Sequence, residues 1–146
     1  MERTEDLRKK VICSMLRVYR RQKHNVESML NSEKIGIYPA QHRLLMELAN
    51  DGKISQKELS RKLNVSPATV TISIKKLVKD GYVKKSSLKN DNRYNMIAIT
   101  EKGKKIIEKS IRIFDASDEK LLAGFSDEEL DGLNNMFIRM FNNLED

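Results

Sequence analysis

Two helix-start signals stand eleven residues apart, and no other feature of the chain leaves so few folds open. Ser55 precedes Glu58 by three residues, the spacing of a capping box, in which serine hydroxyl and glutamate carboxylate each accept a backbone N–H. Ser66 is followed by Pro67, which fits a first helical position because the N–H it lacks has no partner there. Only Asn64 and Val65 remain to turn between the two. The spacing predicts a short helix, a tight turn and a longer helix that Gly81 closes as its C′ residue, a helix-turn-helix pattern.

The longer helix has two distinct faces. At about 100° per residue, Val70, Ile74, Leu77 and Val78 fall on one side, the expected core side. The opposite side carries Ala68, Thr69, Ile72, Lys75, Lys76 and Lys79. Small and hydroxyl side chains near the helix start can approach base edges, and lysines further along can reach phosphates. A solvated amphipathic helix would show the same face, so the residues after Gly81 decide between the two. Tyr82 to Ser87 reads as a strand, Leu88 to Asn95 as a polar turn with Asn90-Asp91-Asn92 at its tip, and Met96 to Ile99 as a second strand. A hairpin directly after a helix-turn-helix makes a winged helix. Its tip carries Lys89 and Arg93, both suited to DNA backbone or minor groove.

In this order and spacing the chain resembles the MarR-type transcriptional regulators. The residues that carry the resemblance are Ser66-Pro67-Ala68-Thr69-Val70-Thr71, Leu77 with Gly81, Asp91-Asn92-Arg93, Ile99-Thr100-Glu101-Lys102-Gly103, and Tyr38-Pro39-Ala40-Gln41 opening the preceding helix. The resemblance covers nearly the whole chain. It implies a mainly α fold with a small β-wing: a winged helix-turn-helix at residues 36–100, and dimerisation helices at 1–35 and 101–146 that intertwine with those of a second subunit. The candidate DNA-binding residues are Ser66, Ala68, Thr69, Thr71, Ile72, Lys75 and Lys76 on the recognition helix and Lys89, Asp91 and Arg93 on the wing. Asp91 repels phosphate, so its expected role is to orient Arg93. One position departs from the family: Ile72 stands where many relatives carry Arg. An exposed isoleucine is a poor phosphate contact but can pack on a thymine methyl.

The outer segments point to assembly. Thr4 to Leu30 has no Pro or Gly and reads as one long helix with two adjacent apolar strips, wider than one packing neighbour needs. Pro39 to Ala49 reads as a helix, and Lys53-Ile54 as a short strand added to the wing. Thr100 caps a helix to about Ala123 whose stripe is Ile107, Ile111, Phe114, Leu121 and Phe125. Ser126 and Glu129 form a further capping box before a last helix bearing Leu130, Leu133, Phe137, Met140, Phe141 and Leu144. These helices have no sheet to pack on, so the expectation is a homodimer. A chain of 146 residues fits one domain.

Charge is unevenly spread. Residues 53–105 hold fourteen Lys/Arg against four Asp/Glu, residues 1–52 ten against seven, and residues 106–146 four against ten. A basic middle is the footprint of a polyanion partner. There is no cysteine cluster, Gly-rich phosphate loop or nucleophile elbow, so no enzyme activity, cofactor or metal is expected. His24 is expected in solvent and His42 in half-buried packing. The single Cys13 excludes an internal disulfide framework, and the acidic opening Met1 to Asp6 does not read as a secretory leader. No apolar run approaches a membrane span, and the expected location is cytoplasmic.

The reading is a dimeric, sequence-specific, double-stranded-DNA-binding transcriptional regulator acting at an inverted repeat, a repressor released by a small-molecule effector. The resemblance implies an aromatic or phenolic effector in the crevice beside the dimerisation helices, where Met15, Tyr19, Tyr38 and Arg43 are lining candidates. Three alternatives stay open. One is a thiol-based redox regulator using Cys13, with Lys9, Lys10 and Arg17 nearby to lower its pKa. The others are a winged-helix protein-interaction module and an RNA-binding winged helix.

Overall fold

Both predicted serine caps form, and the elements between and around them fall in the expected order. The computed structural model describes residues 2–87 and 95–145. Its elements are α1 (Glu2–Ser32), α2 (Pro39–Asp51), β1 (Lys53–Ser55), α3 (Gln56–Leu63), α4 (Pro67–Lys79), β2 (Val83–Ser87), β3 (Asn95–Ile99), α5 (Glu101–Leu121) and α6 (Asp127–Asn142). The strands make one antiparallel sheet of order β1-β3-β2, with Ile54 opposite Ile97 and Val83 opposite Ile99. The fold is mainly helical with a small β-wing, as the sequence predicts.

The core sits where α2, α3 and α4 meet the sheet and the inner ends of α1 and α5. Leu45, Leu48, Leu59, Ile74, Leu77 and Ile97 are fully buried there. The Asn64-Val65 turn is built from its own chemistry. Asn64 takes the left-handed conformation at φ 51°, which asparagine tolerates better than most residues. The Val65 N–H donates to the Ser60 carbonyl at 3.2 Å, and the Ser60 hydroxyl donates to the Val65 carbonyl at 2.6 Å. The turn therefore fixes the angle between α3 and α4 without a large side chain.

Three local expectations need correction. Val78 is 39% exposed rather than core: α4 buries only Val70, Ile74 and Leu77, and Val78 lies on the flank of that narrower stripe. At α3 only half the capping box forms. Ser55 accepts the Glu58 N–H, while the Glu58 carboxylate turns to Arg61 at 3.8 Å. On α5 the inward residues are Gly103, Ile107, Ser110, Ile113 and Ser117, while Leu121 and Phe125 are exposed. The small residues let α5 come close to its neighbours. Ser117 donates to Gln22 Oε1 at 3.1 Å, and Gln22 Nε2 donates to Asp118 at 2.8 Å, a polar tie between α1 and α5.

The outer helices are largely uncovered. Residues 3–21 of α1 are all exposed, including Leu7, Ile12, Val18 and Tyr19, and α6 buries no residue at all despite Phe137, Met140 and Phe141. The Ser126–Glu129 capping box of α6 forms in both directions.

Candidate nucleic-acid interface

The outward face of α4 is the complement of its inward one. Val70, Ile74 and Leu77 hold the helix against the core, so Ala68, Ile72, Lys75 and Lys79 project from the opposite side, all exposed, with Ile72 at 70%. At the helix start the Ser66 hydroxyl accepts the Thr69 N–H at 3.2 Å and lies 2.8 Å from the Thr69 hydroxyl. The two side chains form one exposed hydroxyl pair. Thr71 is tucked further in: half-buried, it donates to the Pro67 carbonyl at 2.9 Å and faces Gln56 of α3.

Lys76 is exposed on the flank of this face. Its ammonium lies 4.5 Å from the centroid of the Tyr38 ring, a cation–π contact between α4 and the start of α2. No sequence spacing relates Tyr38 to α4, so local pattern does not reveal this partner. Beside the same edge, Arg43 borders a small cleft of about 50 Å³ with Thr69 and Ser73. Met15 and Tyr19, by contrast, stand on the open face of α1. On the wing, Lys84 and Lys85 of β2 are exposed; Lys89, Asp91 and Arg93 lie outside the described residues.

Comparison with known proteins fits this geometry. Residues 37–94 match the family model described as "MarR family". A curated relative from Bacillus subtilis (strain 168), the uncharacterized HTH-type transcriptional regulator YwoH, is 34% identical over 75% of this chain and 78% of its own length. The chain belongs to the MarR family. A second B. subtilis relative, the uncharacterized HTH-type transcriptional regulator YdgJ, is 33% identical over 75% of this chain, which spans 66% of that protein. Among solved structures, a MarR transcriptional regulator from Methanosarcina mazei Go1 superposes with TM-score 0.78 at 29% identity, covering 92% of this chain and 96% of the other. This MarR-family chain is a helix-turn-helix DNA-binding transcriptional regulator, in keeping with the regulators it resembles.

Among the described residues no group of three or more His, Cys, Asp or Glu could hold a metal ion, and no helix is long and apolar enough to cross a membrane. Cys13 is exposed on α1, and His24 is exposed as predicted. His42 is more enclosed than predicted, 6% exposed. Its ring stacks on Phe114 at 3.8 Å between centroids, and Nδ1 lies 2.7 Å from the Ser110 hydroxyl. That hydroxyl donates to the Ile107 carbonyl at 3.1 Å, so it accepts from His42, which places the ring proton on Nδ1. Burial pushes the imidazole pKa down, partly opposed by the charge of Asp115. His42 therefore belongs to the seam between α2 and α5.

Proposed function

We propose that this MarR-family protein acts as a homodimer on double-stranded DNA carrying an inverted repeat, as a repressor released by a small aromatic or phenolic effector. The observation that carries the reading is the outward face of α4: a double-capped helix braced from behind, presenting Ala68 and the 70%-exposed Ile72 between a hydroxyl pair and a lysine flank. Residues 36–100 form the DNA-reading unit. Ser66, Ala68, Thr69 and Ile72 meet base edges in the major groove, the half-buried Thr71 braces them from the α3 side, Lys75 and Lys76 meet phosphate, and Lys89 and Arg93, oriented by Asp91, reach the flanking minor groove. A structural neighbour, mutant MarR from E. coli, was crystallised with operator DNA, and it superposes with TM-score 0.81 at 20% identity over 90% of this chain and 93% of its own. At that identity it supports the fold rather than individual contacts.

Residues 1–35 and 101–146 form the pairing unit. Its support is the apolar surface of α1 and α6 that one subunit leaves open. Such a load resembles a core cut in half, and two-fold pairing would present the two recognition helices about one DNA turn apart. The site of action is the cytoplasm. The test is selection of bound duplexes from fragments of the source genome, with sedimentation of the free protein. The expected outcome is a dimer and an inverted repeat with half-sites roughly 10 bp apart. A monomer at micromolar concentration that still binds one site tightly refutes the reading.

A further inference from the structure

By its place in the sequence Lys102 belongs to the basic, DNA-facing middle of the chain, but its ammonium is engaged elsewhere. Lys102 Nζ donates to the carbonyl of Asp80 at 2.6 Å and lies 4.9 Å from the centroid of the Tyr82 ring. Asp80 is the C-cap of α4, so the cation sits on the negative end of the recognition helix, where a positive charge is favoured. Lys102 itself lies in the first turn of α5.

The tie is part of a larger joint. The Thr100 hydroxyl donates to the Gly81 carbonyl at 2.7 Å and accepts the Gly103 N–H at 3.1 Å, so one group holds the end of α4 and caps α5. The Thr100 N–H donates to the Tyr82 carbonyl at 3.0 Å. The carbonyls of Asp80, Gly81 and Tyr82, just past α4, are thus tied to Thr100 and Lys102 at the start of α5. Lys102 bridges from the first turn of α5 to the negative end of α4.

We propose that Lys102 is a positioning residue for DNA recognition: it locks the C-terminal end of α4 to the first turn of α5, so the angle of the recognition helix on DNA is set from α5. Any displacement of α5 is then transmitted to α4 through three short hydrogen bonds rather than through the length of the wing. This rests on the DNA-reading role given to α4 above. It assigns a basic residue to alignment instead of phosphate contact, and the two roles have different signatures.

The test uses the full-length protein with Lys102→Met, which keeps an unbranched apolar stem, and Lys102→Arg. Each is titrated by fluorescence anisotropy against a duplex selected from a random pool by the wild type, and against an unrelated duplex of equal length, at several salt concentrations. Circular dichroism confirms folding at the assay temperature. The expected result is a loss of about three- to tenfold on the selected duplex for Lys102→Met, no change on the unrelated one, an unchanged salt slope, and recovery by Lys102→Arg. Equal loss on both duplexes, with the slope falling by about one unit per subunit, makes Lys102 a phosphate contact and overturns the proposal. A lower melting temperature with unchanged affinity overturns it too, because the tie would then be structural only. A wild type that selects no duplex overturns the role of α4 itself, and this inference with it.

Discussion

Replacing Gly103 with alanine tests the same joint through stability. An added Cβ would lie 2.6 Å from Ile99 Cγ1 and closer still to the Tyr82 carbonyl oxygen, with the Tyr82 carbonyl carbon at 3.2 Å. Ordinary contact begins near 3.4 Å, so α5 must back away by the better part of an ångström or more. The obstacle is backbone, which cannot rotate aside as a side-chain tip can. The same carbonyl accepts the Thr100 N–H, so moving it strains that bond as well. Overpacking of this kind costs about 1–3 kcal/mol, and backbone involvement places Gly103→Ala toward the upper end. Against this, alanine gains up to about 1 kcal/mol over glycine in helix propensity, less in a first turn. The net expectation is a loss of about 1–2 kcal/mol, or about 3–8 °C in melting temperature for a chain of this size. Thermal unfolding by circular dichroism, at one fixed protein concentration because subunit pairing would shift the midpoint, measures it. Lys105→Ala is the control: it lies two residues on, is exposed, and should stay within about 0.5 kcal/mol of the wild type. A Gly103→Ala protein as stable as the wild type would show that α5 does not approach Tyr82 this closely.

Ile72→Ala should weaken binding to a selected duplex by about 1 kcal/mol and leave binding to unrelated duplex unchanged, as expected for a lost thymine-methyl contact; equal loss on both refutes it. Arg93→Ala should cost about 1–3 kcal/mol of DNA affinity and lower the salt slope by about one unit per subunit. Asp91→Ala should also weaken binding although it removes a negative charge, and tighter binding would sink the orienting role. His42 gives a pH dependence. Because its folded pKa is depressed below the ordinary 6.5, the unfolded chain takes up the proton first. Stability is then full above that value and falls as pH drops below it. Urea midpoints at several pH values should show this slope in the wild type and a flatter one in His42→Gln; identical slopes would mean that His42 does not drive it.

The features legible in the sequence were local ones. Ser66, Pro67 and Gly81 declare the limits of α4 within a few residues of chain, and a cap works the same way in any fold. The outward residues of α4 came from periodicity alone. Periodicity misplaces Val78 because angular sectors blur at the flank of a stripe, where real packing decides. The inner face of α5 departs from its apolar stripe for a different reason. Counting apolar residues finds stripes that fill space, whereas Gly103, Ser110 and Ser117 are inward because helices come close there. Partners far apart in sequence were invisible: Ser110 is 68 residues from His42, and no spacing rule reaches across that interval. The ties of Lys76 to Tyr38 and of Lys102 to Asp80 leave no local signal either, since a lysine in a basic stretch looks like any other.

Internal pairing of basic residues also limits how strongly salt should act on DNA binding. If all fourteen Lys/Arg of residues 53–105 met phosphate, a dimer would make 28 contacts and the log–log salt slope would be near −25. The structure spends several of these charges within the protein. Lys62 pairs with Asp51 at 2.6 Å, Lys104 with Glu101 at 2.9 Å, Arg61 faces Glu58, and Lys102 holds the end of α4. Exposed pairs are individually weak, but each places its cation beside a carboxylate that repels phosphate. On the proposed reading the cations that meet the duplex are Lys75 and Lys76 of α4, Lys84 and Lys85 of β2, and Lys89 and Arg93 of the segment between β2 and β3. About six contacts per subunit give a slope near −11 for the dimer, each contact contributing about −0.9. Anisotropy titrations between low and physiological salt measure it directly. A slope beyond about −15 would mean that α1 or the paired lysines also line the DNA path, and one weaker than about −4 would mean that only one subunit, or only the recognition helices without the wings, meets the duplex.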